Sequence, residues 1–527
     1  MAFDLVLEGG TVVFGDLRKP RKLNIGISGE KITEIGTQPL PGRRKISAAG
    51  KFVAPGFIDP HTHSDLSAFF PKKMTGKLFQ GVTTEINGNC GIGIFPCRPA
   101  YRSEFMSFVG DHFFLPPGNF PVETLQSLGS LRRKWETEGF ILNHGWLVGT
   151  GCLRIGVAGF SRAELDPREL ESMRSLLENE LQAGALGVSF GLIYQPGNFI
   201  SREEILSILR CVGKYDKIAC FHIRNEGERV VEAIKEALGY AKESGCKIQI
   251  SHLKIMDRNL WGRSREILDL LDAAGKEGVR VAFDQYPYTA TATNLLVLLP
   301  ESLFDGDVET LITKIESFTS EEKREIERIA EKRGGPEHIL ISASFLPENR
   351  FSGMTVKEIS ENLSLSTADT ALWLIRESRG RARAIYFSMS EEDMISFMQN
   401  PAGLIGSDGS SFPAEEDGDF GIPHPRNFGT FPRFIRMNRE LNLFSVEEMI
   451  HKITLKPAVT LGIAGRGLIE KDYFADITIF DYEKTRDGGT FSNPWLPNAG
   501  ITDVIVNGAP ALEKGVPTGN RSGRFLP

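Results

Sequence analysis

Eight compact apolar runs, ending near His63, Cys90, Val148, Tyr194, Arg224, Lys254, Tyr286 and Asp408, alternate with longer stretches of helical spacing through the middle of this chain. Apolar runs of strand length separated by helices are the pattern of a parallel sheet with crossover connections. Eight such units favour a (β/α)8 TIM-like barrel, whose functional residues gather where the strands end. Helix signals agree: Ser201-Arg202-Glu203-Glu204 forms a capping box, and Ser161 to Gly184 is amphipathic.

The two ends read differently. Leu5-Val6-Leu7, Thr11-Val12-Val13 and Lys31 to Ile35 are short strand-like runs between Gly-rich turns, and the style returns in Ala475 to Phe480 and Asp503 to Gly508. Residues 1–54 and 461–527 are therefore expected to meet in one small β domain beside a catalytic barrel at 55–460, with a lid-like insertion at 293–345. That insertion follows the seventh strand, so it starts at the catalytic mouth. With 41% hydrophobic and 24% charged residues the chain can bury a large core, and its net charge of −7 provides no general field for nucleic acid or an anionic bilayer. No apolar run reaches membrane-helix length, no signal peptide opens the chain, and six cysteines are too sparse for a disulfide framework, so the expected location is cytoplasmic.

The chemistry-bearing signal begins at Gly56 to Pro60, an apolar run leading into His61-Thr62-His63. Two histidines one residue apart share a face of an extended strand and can clasp a divalent metal, most readily zinc at about 2.0–2.1 Å. Other expected strand ends carry Asn87-Gly88-Asn89-Cys90, Phe221-His222-Ile223-Arg224, Ser251-His252-Leu253-Lys254 and Gly406-Ser407-Asp408. Four of the nine histidines lie at such ends, where side chains converge on one mouth. Asp65 orients a histidine or hydrates the turn, and Arg224 and Glu226 are expected to pair with each other.

On these residues, and on Gly81 to Thr84, Gly187 to Tyr194, Asp284 to Thr289 and His424-Pro425-Arg426, the chain resembles the amidohydrolase superfamily and, within it, the N-acyl-D-amino-acid deacylases or D-aminoacylases. The resemblance implies a barrel flanked by a small β-sandwich built from both chain termini, a tight zinc on Cys90, His222 and His252, a second, weaker metal position on His61, His63 and Asp408, and Asp408 as catalytic acid/base. It also implies a carboxylate clamp of Lys254, Tyr286 and Arg426, and a substrate pocket walled by Ile193, Tyr194, Tyr386 and Met389, which suits an apolar D-side chain. The substrate would be a small N-acyl amino acid. The fourth run carries no lysine, so Cys90 replaces the carboxylated lysine of many superfamily members. Thr150 stands where the family often has histidine, Thr289 to Ala292 lacks a common serine, and an acidic stretch from Glu415 to Asp419 precedes Arg426. Two alternatives stay open: a cyclic amidase of the hydantoinase or dihydroorotase kind, and a non-catalytic scaffold.

Overall fold

The computed structural model describes residues 2–70, 75–113, 122–303, 308–416 and 420–527. The eight runs form eight parallel strands: β1 (Phe57–Asp59), β2 (Val82–Asn87), β3 (Asn143–Gly149), β4 (Gly187–Gly191), β5 (Ile218–His222), β6 (Lys247–Ile250), β7 (Val281–Gln285) and β8 (Gly403–Ile405). Each pairs with its neighbour in chain order from β1 to β7, and β8 pairs with β7. From β2 to β6 nearly every strand residue is buried, as expected of strands covered on both faces. This is the barrel that the spacing predicts.

The seam between β1 and β8 closes differently. Just past the strands, the Asp408 N–H donates to the His61 carbonyl and the His63 N–H to the Gly409 carbonyl, each at 2.9 Å. Behind them Lys77, fully buried, places Nζ 2.7 Å from Asp59 Oδ2 and 2.6 Å from Ser407 Oγ, while Asp59 Oδ1 accepts the Ser407 N–H at 2.9 Å. Burying an ammonium is costly unless it is paired, and this one ties together the two segments that carry His61, His63 and Asp408.

Strands from both ends of the chain share one nine-stranded sheet, joined where Phe52–Pro55 pairs antiparallel with Ile477–Phe480. Beyond β7 the chain leaves the barrel and forms a second unit. Its antiparallel strands Thr291–Asn294, Arg383–Tyr386 and Ile339–Ala343 lie side by side in that order, packed on their own apolar core that includes Leu295, Ile326, Ile341, Ile359 and Leu374. The unit thus continues to Tyr386, past residue 345. Its central strand is four residues long and finds its partner far away in sequence, so nothing local marks it. Among the described residues no helix is long and apolar enough to cross a membrane.

Candidate metal centre and active site

The strand-end residues converge. Ligating atoms of His61, Cys90, His252 and Asp408 all lie within 4.8 Å of one another, and those of His222, Glu226 and His252 form an adjoining set. Three of these residues adopt left-handed backbone conformations immediately after their strands: Cys90 (φ 55°), His252 (φ 37°) and Asp408 (φ 50°). Such conformations disfavour a side chain bearing Cβ and persist where the surroundings impose them, as at functional sites. Here they turn the chain sharply at the strand ends. Gly191 makes room for one of these turns: a Cβ there would stand 1.9 Å from the Cys90 carbonyl oxygen.

Cys90 Sγ stands 3.3 Å from His61 Nε2 and 3.4 Å from His252 Nε2. Donors bonded tetrahedrally to one zinc, at about 2.3 Å for sulfur and about 2.0–2.1 Å for nitrogen, would be about 3.5 Å apart. The other ring nitrogens are fixed. His61 Nδ1 faces Asp284 Oδ1 at 2.9 Å, and His252 Nδ1 faces Glu226 Oε1 at 2.9 Å and the Lys254 ammonium at 2.8 Å, which turns Nε2 of both rings inward. His222 is buried with neither ring nitrogen hydrogen-bonded, and burial lowers its pKa, so it presents a free lone pair at neutral pH. Burial pushes the Cys90 thiol up, but the neighbouring His61 and His252 cations outweigh it and hold the thiol well below its ordinary value. These residues fit a bound zinc: sulfur and imidazole donors at ligand spacing, a buried histidine whose ring nitrogens make no hydrogen bond, and rings whose Nε2 atoms face the cluster.

Asp408 joins the cluster through Oδ1, 3.4 Å from His61 Nε2 and 3.2 Å from His63 Nε2, while Oδ2 faces Arg426 Nη1 at 2.8 Å. Burial raises its carboxyl, yet Arg426 and the histidines more than compensate and leave it well below the usual carboxylate range. Lys254 is buried and held by Glu226 at 2.5 Å. Arg224 pairs with Glu236 Oε1 at 3.2 Å instead of Glu226, because Glu226 turns inward to Lys254 and His252. Asp65 is buried and its carboxylate forms no hydrogen bond with a described histidine ring; Asp284 orients His61.

Above the cluster opens a cavity of about 990 Å³. His63, Cys90, Ile193, Tyr194, His222, His252, Lys254, Asp408 and Arg426 line it. Tyr286 lies just behind, fully buried, with the Arg426 guanidinium 5.0 Å from its ring centroid. Tyr386 and Met389 are not among the described lining residues. The Tyr386 ring is fully buried in the core of the inserted unit, and Met389 packs against Tyr286 and Tyr288, since each side chain completes an apolar cluster away from the opening. Four arginines of the inserted unit, Arg333, Arg379, Arg381 and Arg383, reach the wall instead. Of the acidic stretch before Arg426, residues 417–419 lie outside the described residues.

A parallel barrel with strand-end cysteine, histidine and aspartate donors beneath a cation-rich cavity is the arrangement of a metal-dependent amidohydrolase. Comparison agrees, since the model of the Amidohydrolase family matches residues 44–102 and 324–511. The chain is 33% identical to a D-aminoacylase of Alcaligenes xylosoxydans xylosoxydans over 99% of its own length and 97% of the relative's. It is 32% identical to an N-acyl-D-glutamate deacylase of the same organism, over 99% and 96%. The crystal structure of an N-acyl-D-glutamate deacylase from Bordetella bronchiseptica, complexed with zinc and a phosphonate mimic of the tetrahedral intermediate, covers 100% of both chains with a TM-score of 0.83 at 29% identity. The chain belongs to the D-aminoacylase, or N-acyl-D-amino-acid deacylase, family of the amidohydrolases.

Proposed function

We propose that this protein is a zinc-dependent hydrolase of N-acyl-D-amino acids, releasing a carboxylate and the free D-amino acid. The observation that carries the reading is the cluster of Cys90, His61, His252 and Asp408 at the floor of a cavity that also holds Lys254 and Arg426. In this reading Cys90, His222 and His252 hold the tight zinc, and His61, His63 and Asp408 hold a second, weaker one. Zinc supplies Lewis acidity, which lowers the pKa of water towards about 7 and polarises a carbonyl.

The protein's own groups do the rest. Asp408, kept ionised by Arg426 and the histidines, accepts the proton of the attacking water and returns it to the departing nitrogen. Arg426 offers a planar fork for the carboxylate next to the scissile amide, and Lys254 and Tyr286 support it from behind. Ile193 and Tyr194 form the wall beside His222, with the Tyr194 ring 5.1 Å from the His222 ring. The fourth strand, Gly187–Gly191, has no lysine, which argues against a ring-opening amidase built on a carboxylated lysine.

Asp408→Asn tests the assignment. The variant should fold and keep the tight-site zinc, yet hydrolyse an N-acetyl-D-amino acid roughly 10²–10⁴ times more slowly. Near wild-type turnover would overturn the acid/base role. Parallel assays on a hydantoin and on N-acyl-D-amino acids, with zinc analysis, separate the cyclic amidase and the scaffold from the deacylase.

A further inference from the structure

Glu226 stands where the metal cluster and the carboxylate clamp meet. It follows the end of β5, and its Oε1 faces two groups that follow β6: His252 Nδ1 at 2.9 Å and Lys254 Nζ at 2.5 Å. Lys254 Nζ and His252 Nδ1 are themselves 2.8 Å apart, and all three side chains are buried. The Glu226 carbonyl accepts the Met256 N–H at 2.8 Å, which ties the segment after β5 to the segment after β6 and fixes where the carboxylate sits.

Two donors crowd one acceptor here. The three distances make a nearly equilateral triangle, so the nitrogens meet Oε1 about 60° apart, whereas donors on separate lone pairs of a carboxylate oxygen stand about 120° apart. Imidazole and ammonium therefore compete for the same lone pair. Among the described residues the other oxygen that receives the ammonium is the His252 carbonyl, at 3.1 Å, on the very residue it crowds. Glu226 Oε2 faces His222 Nε2 at 3.7 Å, beyond hydrogen-bond length.

A histidine that gives Nε2 to a metal keeps its proton on Nδ1, and a carboxylate that accepts this proton makes the ring a stronger donor. Lys254 weakens that support, because it shares the acceptor and sets a positive charge beside the ring. Lys254 also lines the cavity, where it belongs to the clamp for the substrate carboxylate. An anion that draws the ammonium towards the cavity leaves Oε1 to His252. The anion then strengthens the ring as a metal donor and, by the reciprocity of linked equilibria, the metal strengthens the anion's hold.

We propose that Glu226 is a positioning residue that couples the substrate carboxylate at Lys254 to zinc at His252, so that each tightens the binding of the other. The coupling rests on the deacylase reading, which supplies both ligands.

The probe is the ketomethylene isostere of N-acetyl-D-leucine, in which a methylene replaces the amide nitrogen and nothing is hydrolysed. Its control carries a primary carboxamide in place of the carboxylate. Zinc affinity of the apoprotein is titrated against a chromophoric chelator with either compound at saturation. The zinc dissociation constant with the carboxamide should exceed that with the carboxylate about tenfold in the wild type, and by less than about twofold in Glu226→Gln. Glu226→Asp, which keeps the charge, should recover a ratio of about threefold or more. Lys254→Met, with no probe present, should bind zinc at least as tightly as the wild type, which loss of a merely structural ion pair would not produce. A wild-type ratio near one, an undiminished ratio in Glu226→Gln, or zinc bound about fivefold or more weakly by Lys254→Met would overturn the coupling. Hydrolysis of N-acyl-D-amino acids by the zinc-loaded wild type is assayed in parallel. Hydrolysis with an undiminished ratio in Glu226→Gln would end the coupling and keep the deacylase, whereas a tenfold ratio lost in that variant, without hydrolysis by the wild type, would do the reverse.

Discussion

Asp284→Asn isolates the outer support of the metal centre. The carboxylate is fully buried and surrounded by donors: Oδ1 accepts from His61 Nδ1 and from the His252 N–H, both at 2.9 Å, and Oδ2 accepts from Gln249 Nε2 at 2.7 Å. An asparagine keeps the shape but has one acceptor. Gln249 can turn its amide to accommodate it, because Gln249 Oε1 has no partner of its own, so the remaining oxygen still serves His61 and His252. The loss is then the charge assistance of two hydrogen bonds, about 1–2 kcal/mol in all, since bonds to ionised groups are roughly twice as strong as neutral ones. If that loss is felt by the bound metal, zinc binds about 5–30 times more weakly, within the range known for groups that orient metal-binding histidines. Titrating apoprotein with zinc against a chromophoric chelator measures it. An affinity unchanged within about twofold would refute the orienting role of Asp284.

Other perturbations probe the frame and the fold. Gly191→Ala would push a Cβ against the Cys90 carbonyl at 1.9 Å, costing about 1–3 kcal/mol and weakening zinc retention, whereas Gly213→Ala, in the helix Arg202–Lys214 with nothing within 4 Å, should gain about 0.5–1 kcal/mol; melting curves with zinc analysis compare them. Lys77→Met leaves Asp59 and Glu85 buried without their cation and should destabilise the barrel seam by about 3–5 kcal/mol, read by denaturant unfolding. Burial pushes the Glu180 carboxyl up to about 7, above its unfolded value. Its contribution to stability is therefore full below about pH 4.5 and lost as pH rises through 7, and Glu180→Gln should remove a pH 5-to-8 decline on the order of 3 kcal/mol. Unfolding curves at the two pH values, parallel for variant and wild type, would contradict it.

Much of this architecture is legible in the chain because the strands of a barrel covered on both faces are written locally, as apolar runs closed by polar ends. His61, Cys90, His222, His252 and Asp408 stand at such ends, so convergence in space follows from topology once eight runs are recognised. What stays hidden depends on which strand faces which. Glu226 reads as the partner of its near neighbour Arg224, yet β5 and β6 lie side by side and bring it to Lys254 and His252. Asp284 is visible as a strand-end acid, but its bond to His61 requires knowing that β7 and β1 flank the closing strand. In the inserted unit the pairing of Arg383–Tyr386 with Thr291–Asn294 buries Tyr386 and carries Arg383 to the cavity, a choice that alternation over four residues cannot announce.

Absorption at the zinc edge on the purified holoenzyme addresses the metal centre itself. Cys90 as a ligand beside imidazoles predicts a sulfur scatterer at about 2.3 Å together with nitrogen at about 2.0–2.1 Å, the sulfur disappearing in Cys90→Ala. A coordination shell of nitrogen and oxygen alone in the wild type would contradict the account.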